Sequence, residues 1–103
     1  MQRQPIDTGG WFDLDAASCY DENRWHDGNN WISCATGDQF LHEEVWLTRR
    51  GVYVLHHWSQ WSPHPRDRWT RLDAEAAAQW LSQNGHDASG VPAIDAAIAA
   101  LEV

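Results

Sequence analysis

The side chains with chemical reach are six histidines, two cysteines and several closely spaced acids. His56 and His57, with His42 and Glu44 on a neighbouring segment, have the residue types for a divalent-metal site. Zinc needs three or four donors converging on a tetrahedron. Adjacent residues of a strand point to opposite faces, so His56 and His57 cannot both serve one undistorted site. No CxxC, HExxH or HxH spacing occurs. Cys19 or Cys34 acting as a nucleophile would require a histidine base and an orienting acid. His42 and Glu43 offer those types, but no local signature marks them. Asp13/Asp15 read as a helix start, Glu43 and Glu44 alternate faces, and Gly9-Gly10 lacks the Lys-Ser/Thr of a phosphate loop. The expectation is therefore a non-enzymatic protein without metal or cofactor. A metal site or enzyme built on His42, Glu44, His56 or His57 is the alternative.

The elements that must position these groups are legible in part. Asp13 begins a short helix within 9–23. Asp27-Gly28-Asn29-Asn30 marks a turn. Strands are expected over 30–36, 39–49, 52–61 and 68–72, with Gly51 closing a hairpin between the second and third. Residues 73–85 form a helix, with Asp73 as N-cap, Glu75 in the first turn and Gly85 beyond the end. A second helix spans 91–103, with Pro92 near its start and Ile94, Ile98 and Leu101 on one stripe. Residues 1–8 read as a flexible lead-in and 9–103 as one domain. The fold class is α+β: an antiparallel meander of three to four strands, with the C-terminal helices packed on one face.

The stretch Trp58-Ser59-Gln60-Trp61-Ser62 fits the WSxWS box of cytokine receptors, but that box belongs to an all-β sandwich. Too few strands and two C-terminal helices remove the analogy. The physical reading is that Trp58 plugs the core, while Trp61, Arg68 and Trp69 form an aromatic and arginine edge. Guanidinium stacking on indole is worth about 0.5–1 kcal/mol when exposed. Such an edge is a candidate partner surface or homodimer contact.

Composition narrows the function classes. The chain has 103 residues, eight tryptophans, no lysine and a formal charge of −8. Acids dominate both ends, whereas residues 49–71 carry five arginines against Asp67. This balance disfavours direct nucleic-acid or anionic-membrane binding and favours basic partners. No apolar run has the length of a membrane span, and the N-terminus lacks a signal-peptide hydrophobic region, which reads as cytoplasmic. Cys19 and Cys34 then read as free thiols.

Residues 42–87 carry Gly51, Tyr53-Val54-Leu55, Ser59-Gln60-Trp61, Ala77 with Trp80-Leu81, and Asn84-Gly85-His86. This block resembles a group of small, largely uncharacterised proteins of bacteria and their mobile elements. It departs from their pattern at Ser62-Pro63-His64-Pro65, where a Gly-Ser turn would follow. The resemblance implies one compact unit and no particular activity. The expected function is a small acidic protein-binding protein, with inhibition of a nucleic-acid-handling host complex, in the anti-CRISPR or anti-restriction manner, as its candidate role. Asp13, Asp15, Asp21, Glu22 and Asp27 are its expected acidic face.

Overall fold

The computed structural model describes residues 1–60, 67–87 and 91–103. Its centre is a four-stranded antiparallel sheet. The strands are β3 (Ser18–Asp21), β6 (Leu41–Leu47), β7 (Tyr53–Ser59) and β8 (Arg68–Leu72), in that spatial order. Two short hairpins flank it: β1 (Arg3–Pro5) with β2 (Trp11–Asp13), and β4 (Arg24–His26) with β5 (Trp31–Ser33). Helices α1 (Ala74–Gln83) and α2 (Pro92–Ala99) follow. The class is α+β.

Alternation along the strands builds two cores on opposite faces of one sheet. Val45 and Tyr53, with Tyr20, Leu47, Leu55 and Leu72, meet Ala77, Ala78, Trp80 and Leu81 of α1 and Ile94 of α2. The alanines remove bulk where α1 meets the sheet, so Leu81 reaches full burial at 0 % exposure. Burying one such side chain stabilises the fold by roughly 1.5–3 kcal/mol. Asp73 caps α1 by accepting the Ala76 amide at 2.8 Å, and Gly85 leaves it at φ 80°.

The opposite face is covered by the N-terminal hairpin. Ile6 and Phe12 pack on Val54, with Trp46 and Trp69 around them. Residues 1–8 are therefore not a free lead-in. Arg3–Pro5 pairs with β2, Ile6 is buried, and the Asp7 amide donates to the Trp69 carbonyl at 2.9 Å. The helix expected over 9–23 is also corrected. Asp13 does cap a turn, accepting the Asp15 amide, but it is a single 3₁₀ turn (Leu14–Ala16) between β2 and β3. The strand at 30–36 exists, yet it pairs with β4 rather than entering the main sheet; β3 takes the place beside β6.

Candidate functional site

The pairing register decides which titratable groups meet. Glu44 lies opposite His56, and Glu43 opposite His57, across β6 and β7. Each histidine takes the carboxylate facing it: His56 Nδ1 to Glu44 at 2.9 Å on one face, His57 Nδ1 to Glu43 at 3.1 Å on the other. His56 Nε2 reaches Asp67 at 2.9 Å. His42 belongs to a separate network, with Nδ1 2.7 Å from Glu22 and Nε2 3.0 Å from the Gln60 side chain. His42, Glu44, His56 and His57 are thus drawn into three carboxylate pairs and do not converge.

The His56 ring is also enclosed. It stacks on Trp69 at 3.8 Å with planes 9° apart, and on Trp58 at 4.6 Å and 23°. Burial opposes its charge, but hydrogen bonds and charge from Glu44 and Asp67 outweigh burial and raise its pKa above the ordinary 6.5. Burial likewise acts against ionised Glu44, and the His56 and Trp46 donors overcome it, so its pKa lies below 4.5. Between about pH 4.5 and 6.5 both groups are charged, an ion pair walled by indoles.

Cys19 sits near this pair at the β3 edge. Among the described residues, Cys19, Asp21 and Glu44 form one group with ligand atoms within 4.8 Å of one another. Partial burial of the thiol, then the charges of Glu44 and Asp21, push its pKa up to about 12. A thiol held protonated at neutral pH is a poor nucleophile. Cys34 is a free thiol elsewhere on the surface.

Glu22, expected on an acidic face, is buried. Its Oε1 accepts the Ser33 hydroxyl at 2.8 Å and the Glu43 amide at 2.7 Å, while Oε2 accepts from Arg24 at 2.9 Å and meets His42 at 2.7 Å. Burial is the largest influence on it, yet these donors hold its pKa below the usual carboxylate range. Glu22, just after β3, ties β4, β5 and β6 together and does not lie on an exposed acidic face. The other four acids stay at the surface in different roles. Asp13 caps the 3₁₀ turn, Asp15 meets the N-terminal amine at 3.4 Å, and Asp21 is exposed on β3. Asp27 accepts the Asn30 and Asn29 amides at 2.8 Å each, which lowers its pKa.

The aromatic edge is corrected too. Trp69 stacks on His56 and against Phe12, and its backbone N–H and C=O are both taken by Asp7. Trp58 is half-buried in the same stack rather than a core plug. Arg68 alone of that set is exposed among the described residues, and Trp61 lies outside them.

The β4–β5 hairpin carries an exposed indole on each of its faces: Trp25 lies opposite Ile32, and Trp31 lies opposite His26, whose ring it meets edge-on at 5.2 Å. Every residue from 23 to 31 is exposed, and the β4–β5 hairpin presents Trp25 at 52 % and Trp31 at 62 % exposure on either side of Asp27. The Asp27-Gly28 turn is legible in the sequence, whereas the exposure of the indoles beside it is not. A two-stranded ribbon outside the main sheet has no layer to cover its indoles, and WHDGNNW holds two of them around the turn. No family model, no curated protein and no solved structure matches this chain. The functional reading rests on geometry.

Proposed function

We propose that this is a non-enzymatic binding protein that engages a protein partner with a basic surface, and that the β4–β5 hairpin is its docking element. The observation that carries this is the exposure of Trp25 and Trp31 beside the ionised Asp27. Indoles left in water on a small domain are typical partner anchors, and two on opposite faces of one ribbon suit a groove that takes the hairpin between its walls. The −8 charge selects the partner's sign and speeds encounter with a cationic surface. The histidine–carboxylate pairs are closed on themselves, which supports a structural role for them over a catalytic one.

A basic surface that ordinarily holds nucleic-acid phosphates is the class that such a protein would block, in the manner of an anti-CRISPR or anti-restriction inhibitor. The test is affinity capture from host lysate with wild type and with Trp25→Ala/Trp31→Ala, at low and high salt, followed by elution with duplex DNA. The reading requires a partner that is released by DNA, weakened by salt and lost in the double variant. A retained complex in that variant counts against it. Light scattering of the purified protein separates self-association through the same indoles.

A further inference from the structure

On the sheet face away from the helices, a cleft of about 460 Å³ opens between two turns. One wall is the Gly9–Asp13 segment of the N-terminal hairpin; the other is the Thr48–Val52 turn, with Arg71 of β8 beside it. The cleft lies within the roughly 300–1,000 Å³ usual for small-ligand sites. Its lining departs from the rest of the molecule. Arg49, Arg50 and Arg71 are three of only seven basic residues in a chain of net charge −8, and all three line this one cleft. None of them has an ion-pair partner among the described residues.

The turn that carries Arg49 and Arg50 is fixed. The Thr48 amide donates to the Val52 carbonyl at 2.8 Å, the Val52 amide donates to the Thr48 hydroxyl at 3.1 Å, and Gly51 supplies φ 82°. Trp11 lines the opposite wall and is 48 % exposed, while Arg3, which does not line the cleft, lies over its ring at 4.5 Å. The Gly9-Gly10 turn, at φ 115° and 83°, holds that wall without side chains. The one opposing charge is Asp13, whose Oδ1 is engaged by the Gln2 and Asp15 amides at 3.1 Å each.

We infer that this cleft binds a small organic phosphate bearing a planar ring. Guanidinium groups recognise phosphate oxygens in paired hydrogen bonds, and an indole face takes a flat ring. Three cations without carboxylate partners suit a dianionic phosphate. The half-exposed indole across the cleft selects an aromatic phosphate over the inorganic ion. This inference is separate from the docking hairpin and stands or falls without it.

Titration calorimetry with AMP, adenosine and inorganic phosphate tests the site. AMP binds one-to-one and more tightly than either fragment. Arg49→Gln/Arg50→Gln/Arg71→Gln weakens AMP by at least about tenfold, the size of one lost charge-assisted contact. Trp11→Ala weakens AMP while leaving phosphate unchanged. All four residues are exposed, so the variants should fold. In the wild-type protein, an AMP-induced shift of the Trp11 indole N–H in a nitrogen-correlated NMR spectrum gives a reading that no variant affects. No heat and no shift with AMP at about 1 mM would overturn the inference. So would adenosine binding as tightly as AMP, or full affinity in the arginine variant.

Discussion

Glu22 and His42 meet at 2.7 Å inside the fold, a carboxylate and an imidazole with side chains only 2 % and 9 % exposed. Glu22 follows β3 and His42 lies in β6, twenty residues on, and Ser33, Arg24 and the Glu43 amide donate to the carboxylate around them. The pair shows how this domain uses ionisable groups: as cross-ties between strands too short to hold together alone.

Removing that tie should be costly. Glu22→Ala strands four donors and is expected to destabilise the protein by about 3 kcal/mol, in the range for breaking a buried charged network. Asp21→Ala, one residue away and exposed, should stay within about 0.5 kcal/mol. Urea unfolding of both variants checks this. Equal effects would return Glu22 to the surface.

The N-terminal hairpin should behave as part of the body. Ile6→Ala removes a buried side chain from the face-covering core and is expected to cost about 2–3 kcal/mol. A thermal melt reads the loss directly. An unchanged midpoint would mean that residues 1–8 are dispensable.

The walled ion pair gives stability a pH signature. His56 has a raised folded pKa, so its contribution is complete below 6.5, its unfolded value, and is lost as pH rises through the folded value. Glu44 has a lowered folded pKa, so its contribution is complete above 4.5 and is lost as pH falls through the folded value. The pair therefore stabilises most between about pH 4.5 and 6.5. Denaturant unfolding from pH 5.5 to 8.5 should show wild type weakening, and His56→Gln should show a flatter profile over the same range.

Cys19 should be sluggish. A thiol pKa of about 12 leaves roughly a thousandfold less thiolate than the ordinary 9.0. In a Cys34→Ser background, reaction with a disulfide reagent at pH 8 is expected to be slow. Speeding it by Glu44→Gln would confirm the charge contribution. Rapid labelling of the unmodified site would contradict it.

The sequence revealed what repeats over enough residues. β6, β7, β8 and α1 have lengths of five to ten residues, and their alternation or capping stands out. β1, β2, β4 and β5 have three residues each, too few to show a period, and their pairing depends on contacts distant in the chain. Glu22 reads as a surface acid within Asp21-Glu22-Asn23-Arg24 because its donors come from positions as far away as 43. His56 and His57 were separable by alternation alone; their carboxylate partners required the β6–β7 register. The arginine cleft was visible only as an excess of positive charge over 49–71, since its second wall comes from the N-terminus.

The hairpin claim is tested most directly by binding to the captured partner once it is isolated. Calorimetry should show affinity falling at least about a hundredfold in Trp25→Ala/Trp31→Ala, the loss of two anchors, and falling with salt in the wild type. Affinity in the double variant equal to that of the wild type, or insensitivity to salt, would contradict the account.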